Sequence, residues 1–415
     1  LHPVAHSFPT RRSSDLVELG AVLTANIDET ILSGGLSGIS SLTGSNNWQV
    51  ELFSYDEENR VSDKWIWTGN RREWDTHLGY EYNRLGEVTR MKLEVGTETL
   101  YQHYEYNLLG QLHKVFISTT GSYDPVNDDP EVTYTYTPSG AIDLIVYEGG
   151  KQADYEYTIR DWVTSINDIG SPVGSFAAFY DYEDNGNIRM SRFYNPDIHQ
   201  DLTGHNDYRY VYEYDALNRM SKADYEYGTS GTQSDFFSVD NLSYDANGNI
   251  KSLRRRDETS AQIDRLRYDY GTNNQLSAVH DSSGVNLGWD AFTSSFTYDS
   301  NGNMKSQSGK FTDIAYDHRN LPIHFFMDGG AEVIANYNAD GQRIIKESSG
   351  GAWTFYVTDG MQTLAVITQD GLSQMNLVGG GTLGRIEANT SGASTTSNPR
   401  YYHITDHLGA RRERV

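Results

Sequence analysis

Between Tyr55 and Tyr337 one short phrase returns twelve times: an apolar or aromatic residue, any residue, a tyrosine, a polar residue, and then a turn. Self-similarity at a fixed period decides the architecture before any single residue is read. The anchoring tyrosines are Tyr55, Tyr82, Tyr106, Tyr136, Tyr157, Tyr182, Tyr214, Tyr244, Tyr270, Tyr298, Tyr316 and Tyr337. They recur about every 26 residues, the length of one β-hairpin with its connections. The repeat is therefore read as a hairpin.

Three columns predict the geometry of that hairpin. Two residues before the anchor stand Phe53, Tyr80, Tyr104, Tyr134, Tyr155, Tyr180, Tyr212, Leu242, Tyr268, Phe296, Ile314 and Ala335, all apolar, mostly aromatic, and on the same strand face as the anchor. Four residues after it stand Asn59, Gly86, Gly110, Gly140, Asp161, Gly186, Asn218, Gly248, Asn274, Gly302, Asn320 and Gly341. These are the residue types that tolerate a left-handed backbone. Six after it, ten of the twelve copies carry Val61, Val88, Leu112, Ile142, Val163, Ile188, Met220, Ile250, Leu276 or Met304. For anchor and aliphatic to face each other the loop must hold an odd number of residues, and a three-residue loop ending in a left-handed residue does so. Tyr244 should then pair with Ile250 and Asp245 with Asn249, around Ala246, Asn247 and Gly248. A two-residue Asn-Gly turn would put Tyr244 and Ile250 on opposite faces and is rejected. The structural residues of the repeat are typified by Tyr82 with Gly86, Tyr106 with Gly110, Tyr182 with Gly186, Tyr214 with Asn218, Tyr244 with Gly248 and Tyr298 with Gly302.

The phrases YEYDALNRM at Tyr212, LSYDANGNI at Leu242, FTYDSNGNM at Phe296, AYDHRNLP at Ala315 and YNADGQRI at Tyr337 resemble the YD repeats of the bacterial Rhs family. YYHITDHLG, from Tyr401 to Gly409, resembles the family's D-H-L-G signature, here Asp406, His407, Leu408 and Gly409, which follows the repeats at the start of the core-associated region. The resemblance covers roughly residues 50 to 409, from the first repeat to the closing motif. The resemblance implies an all-β fold in which tandem hairpins coil as a spiralling sheet into a hollow shell around a C-terminal toxin, as in the related insecticidal Tc toxins. Teneurins of animals share the repeat, so shell and toxin delivery are separable inferences. Residues 50–350 are accordingly expected to form the repeat shell, and residues 351–415 the truncated start of the core-associated region.

Composition narrows the function classes. Tyrosine is abundant, 30 of 415 residues, so packing should rest on aromatic stacking and on hydroxyls that reach polar partners. A formal net charge of −24 argues against nucleic-acid binding, which needs basic stripes. Arg254, Arg255 and Arg256 form the single run of three basic residues and read as a solvated face or a salt-bridged patch. There is no cysteine, hence no disulfide framework or thiolate chemistry, and no apolar stretch approaches the ~20 residues of a membrane span.

Both ends read as incomplete. His6 to Leu16, HSFPTRRSSDL, resembles the translation of a common sequencing-library adapter, so residues 1–16 are set aside from the fold in preference to a disordered arm. Residues 17–49, rich in Gly, Ser and Thr, lead into the repeats, and ARRERV after Gly409 stops where family members continue.

Several motifs dissolve on inspection. Asp245, Asn247 and Asn249, like Asp299, Asn301 and Asn303, suggest a calcium loop, but the glycine stands fourth instead of sixth and the distal Glu is missing. Gly379, Gly381 and Gly384 form a G-x-G-x-x-G with no helical period after it. His403 and His407 have metal-pair spacing but lie in a strand-and-turn segment. The family's autoprotease uses paired Asp-Pro-x-Gly motifs, and none occurs here; Asp124-Pro125 and Asp129-Pro130 lie far upstream, and no protease role is carried over to Asp406. No catalytic, cofactor-binding or metal residue is therefore expected.

The leading expectation is a structural shell fragment of a secreted Rhs-type polymorphic toxin, at the bacterial cell surface or beyond it. Its partners would be a C-terminal toxin domain in cis and a secretion-system component. The alternative is an extracellular carbohydrate-binding or adhesion protein using exposed members of Trp48, Trp65, Trp67, Trp74, Trp162, Trp289 and Trp353, although packing in the wall is the favoured reading of each. An enzyme in its own right is the third reading. Continuation of the reading frame past Val415 into protease motifs and a variable tail would separate the first two.

Overall fold

A computed structural model of the protein describes residues 37–42, 48–68, 75–167, 176–194, 208–227, 232–289, 293–338, 340–360, 362–379, 381–387, 399–405 and 411–414. Among them are 31 β-strands, from β1 (Ser37–Leu42) to β31 (Arg411–Arg414), and no α-helix. Each strand pairs antiparallel with the one before it and the one after it, so the sheet is one unbroken meander. Pairing of sequential neighbours is what a tandem hairpin repeat dictates, since short loops allow no other partner.

All twelve anchors pair as the columns require. Tyr82 lies opposite Val88, Tyr106 opposite Leu112 and Tyr244 opposite Ile250. The two copies without an aliphatic keep the same register, with Tyr316 opposite Pro322 and Tyr337 opposite Arg343. In every copy a register shift sits beside the anchor, as a three-residue loop closed by a left-handed residue produces. The sheet runs without interruption across residue 350, where β25 (Arg343–Ser348) pairs with β26 (Trp353–Asp359).

The buried residues divide the sheet by thickness. One apolar cluster joins Ile66, Leu78, Leu93, Leu100, Val115, Tyr134 and Tyr180 from the first part to Phe355, Val357, Ile367, Met375, Leu377, Ile386 and Ile404 from the last. Between Tyr180 and Ile344 the buried apolar residues among those described are Ala223, Tyr225, Leu266, Val279, Ile314 and Ala335, and none belongs to that cluster. The two ends of the strip thus lie on each other as a double layer, and the middle is a single sheet.

Register shows how the layers meet. Tyr147 pairs with Val132, two residues from Tyr134, and so stands on the anchor face. Tyr402 connects through Gly384, Leu377, Met375, Ala365, Val357, Phe355 and Ile345 to Asn336, the neighbour of Ala335, and so stands on the opposite face. The rings of Tyr147 and Tyr402 lie 5.2 Å apart. A strip folded flat on itself would meet anchor face on anchor face, whereas a rolled strip meets anchor face on opposite face. The sheet is therefore rolled.

Candidate functional site: the turn edge and the seam between coils

The hairpin turns form one edge of the strip, and the sequence builds each of them the same way. The fourth residue after the anchor has positive φ in all twelve copies, among them Gly86 (85°), Gly110 (77°), Gly186 (96°), Asn218 (60°), Gly248 (91°) and Gly302 (90°). The residue after the anchor closes the loop with its side group. Asp245 Oδ1 accepts the backbone N–H groups of Asn247 at 2.8 Å and Asn249 at 2.9 Å, and Asp299 does the same for Asn301 and Asn303. Asn83, Asn107, Asp215 and Asp317 repeat the pattern. These Asx turns explain why a short acid or amide follows the tyrosine. The side-chain amide of Asn249 holds the Asp245 carboxyl below the usual carboxylate range, helped by the turn N–H groups, and Asn303 holds Asp299 likewise. In the loops that look like calcium sites both carboxylate oxygens of Asp245 and of Asp299 are already committed to the turn.

The anchor tyrosines tie each hairpin to the one before. Tyr82 donates its hydroxyl to the carbonyl of Val61, Tyr106 to Val88, Tyr182 to Val163, Tyr214 to Ile188, Tyr244 to Met220 and Tyr298 to Leu276, all between 2.6 and 2.9 Å. Tyr136, Tyr157, Tyr270, Tyr316 and Tyr337 do the same. The acceptor is always the residue six after the preceding anchor. Guanidinium groups add links along the edge, from Arg60 to the Asn83 carbonyl, Arg160 to Asp184, Arg219 to Asp245 and Arg319 to Asn338.

The seam between the coils is apolar with polar pins. Gln102, fully buried, donates to the Asn376 carbonyl at 3.1 Å and accepts the Val378 N–H at 2.9 Å, a pairing across 274 residues of sequence. The Tyr134 hydroxyl reaches the Gly379 carbonyl and that of Tyr147 reaches His403. At one end, buried Lys64 lies 3.2 Å from Glu51 and 3.7 Å from Asp359, which also accepts the Tyr80 hydroxyl. At the other, Arg400 contacts Glu131 at 2.7 Å and Glu148 at 2.6 Å, and the Tyr402 hydroxyl bonds both carboxylates. Burial raises the Glu131 carboxyl, with Glu148 repelling it and Tyr402 and Arg400 only partly offsetting; burial likewise raises Glu51, against Lys64. In each cluster one cation contacts two carboxylates.

The remaining candidates resolve one by one. The three arginines form salt bridges: Arg254 with Asp240, Arg255 with fully buried Asp264, and Arg256 with Asp235. Gly384 lies in a strand, where a Cβ would sit 2.3 Å from the Tyr401 carbonyl, so close backbone approach explains it. Trp162 packs on Tyr182 beneath Arg160, Trp65 stacks on His77 at 5.2 Å, Trp289 bonds Ser294, and Trp353 packs against the apolar cluster. His403 is in β30 (Arg400–Thr405). Asp406, His407, Leu408 and Gly409, and Trp74, lie outside the described residues, as do the side chains of Trp48 and Trp67. The columns pointed to the turn edge; the seam residues Lys64, Gln102, Glu131, Asp359 and Arg400 carried no signal in sequence, because the partners that pin them across the seam are hundreds of residues away.

No protein-family model matches this sequence, and no curated protein matches it. Among solved structures, the protein is similar to TcdB2-TccC3 without its hypervariable C-terminal region, at TM-score 0.56 and 14% identity over 89% of its own length. It is also similar to part of the Photorhabdus luminescens Tc holotoxin pore, at TM-score 0.60 and 15% identity over 91%. It spans 20% and 19% of the lengths of those two neighbours. The rolled hairpin sheet is thus a fold found in Tc toxin proteins.

Proposed function

We propose that this protein is a piece of the wall of a toxin shell of the Rhs type, which encloses a polypeptide cargo and has no catalytic activity of its own. The observation that carries this reading is the roll: a sheet that meets itself anchor face on opposite face encloses space as it lengthens, whereas a flat sheet does not. The fold of the Tc toxin neighbours supports it, as does the commitment of the polar groups to turns, inter-hairpin bonds and seam pins. The cargo is a C-terminal effector in cis, and the protein works outside the cell that makes it.

The test is to express the protein with its native downstream sequence and add protease. A cleaved C-terminal polypeptide that stays protected is the expected result. Free digestion of that polypeptide would overturn the reading, as would polysaccharide binding by the purified protein that is lost on substituting Trp65 and Trp67.

A further inference from the structure

Three of the twelve turns contain an Asn-Gly peptide: Asn185-Gly186, Asn247-Gly248 and Asn301-Gly302. All three asparagines are exposed; the hairpins of Asn247 and Asn301 belong to the single-layer part of the wall, whereas that of Asn185 carries Tyr180 of the apolar cluster. Each asparagine is tied to the next hairpin. The Nδ2 of Asn185 donates to Asn218 Oδ1 at 3.0 Å, that of Asn247 to Asn274 Oδ1 at 2.8 Å, and that of Asn301 to Asn320 Oδ1 at 3.0 Å. The same acceptors take a second bond from Asn187, Asn249 and Asn303. Copies with Asn-Gly-Asn therefore alternate with copies whose left-handed residue is Asn, and each such pair is zipped by two amide bonds.

We infer that Asn185, Asn247 and Asn301 are deamidation sites that the following hairpin holds in check. In an Asn-Gly peptide the glycine nitrogen attacks Cγ of the asparagine. A bond forms between that nitrogen and Cγ, the Cγ–Nδ2 bond breaks, and the glycine N–H proton leaves with the departing ammonia. Water then opens the cyclic imide at either carbonyl, giving Asp or isoaspartate, so the net reaction consumes one water and releases one ammonia with no redox change. Glycine favours this step because it has no Cβ to hinder the attack. Here both reacting groups are engaged. The amide that carries Cγ is fixed by the Asn–Asn bond, and the attacking nitrogens of Gly186, Gly248 and Gly302 donate their hydrogens to Glu183, Asp245 and Asp299 at 2.9, 3.2 and 3.1 Å.

The consequence reaches the wall. A carboxylate in place of the Asn247 amide faces Asn274 Oδ1 with no hydrogen to donate, and isoaspartate lengthens the backbone of a three-residue loop. Each event unzips one hairpin pair, at Asn247 and Asn301 where no second layer covers the sheet, and adds a negative charge to a protein already at −24. Ageing would loosen the single-layer wall first.

The experiment incubates the folded protein at mildly alkaline pH and follows Asp and isoaspartate at each site by peptide mapping, with the urea-unfolded protein as reference. Deamidation at all three sites should be slower in the folded protein. Asn274→Gly removes the acceptor but keeps the left-handed backbone (φ 62° for Asn273 and 58° for Asn274). It should speed modification of Asn247 by roughly two- to tenfold, the range for losing one exposed hydrogen bond, and leave Asn301 unchanged. Asn320→Gly should give the mirror result, and circular dichroism confirms that each variant is folded. Equal rates folded and unfolded, no product at any of the three sites, or an Asn247 rate unmoved by Asn274→Gly would overturn the inference.

Discussion

Gly248 is a clean case of backbone control, because a Cβ there would touch nothing within 4 Å and yet φ is 91°. Gly248→Val is expected to destabilise by about 1–3 kcal/mol through strain alone, whereas Val at the neighbouring Ala246 should cost much less. Denaturant unfolding of the two variants decides it: equal losses would show that left-handed geometry is not what selects glycine. Gly186 adds a second term, since its Cβ would lie 3.0 Å from the Trp162 ring. Gly186→Ala should therefore cost more than Gly248→Ala. At the anchors, Tyr244→Phe deletes one hydroxyl-to-carbonyl bond to the previous hairpin and should cost about 0.5–1.5 kcal/mol. A loss no larger for Tyr244→Phe than for removing an exposed, unbonded hydroxyl would show that the tyrosine contributes only its ring.

At the level of the element, the hairpin register was legible because two local constraints agree. The anchor and the residue six later must share a face, and the residue four later must be left-handed; together these leave the three-residue loop. Pro322 and Arg343 show which constraint dominates, since both pair with their anchors without being aliphatic. Turn chemistry thus sets the register, and the aliphatic column follows it. What could not be read was the destination of the tyrosine hydroxyls. A polar partner was expected, but its identity as the carbonyl of the preceding copy depends on strand spacing, which the sequence does not state. Deleting Asn247, which leaves a two-residue loop, should turn the following strand over. Its alternate residues Leu253 and Arg254 would then exchange faces, and cysteine labelling at those positions would detect it; unchanged labelling would refute turn-controlled register.

For the whole molecule, the double layer answers to pH differently from the turns. Glu131 faces Arg400, Glu148 and Tyr402, with the Tyr147 ring tilted against that of Tyr402, and Glu51 faces Lys64, Asp340 and Asp359, with Tyr80 bound to Asp359. Both carboxyls are raised above their ordinary value of 4.5, first by burial. A raised value means that the folded state binds the proton more tightly than the unfolded state does. The seam's contribution is therefore full below pH 4.5 and is lost as pH rises through the folded values. Turn aspartates such as Asp215, Asp245 and Asp299 are lowered from 3.8, so their contribution is full above that pH and is lost as pH falls through their folded values. Above about pH 5 the turns should be constant while the seam loosens as pH rises through the folded values of Glu131 and Glu51. Hydrogen exchange, corrected for its intrinsic pH dependence, should show protection of β26 and β30 falling over that range while the hairpins of the single-layer wall stay level. Glu131→Gln, which cannot ionise, should flatten the pH response at β30 and leave that at β26, where Glu51 still titrates. Protection at β30 that rises with pH in the parent protein, or a slope unchanged by Glu131→Gln, would show that the buried carboxylates do not govern how tightly the coils hold.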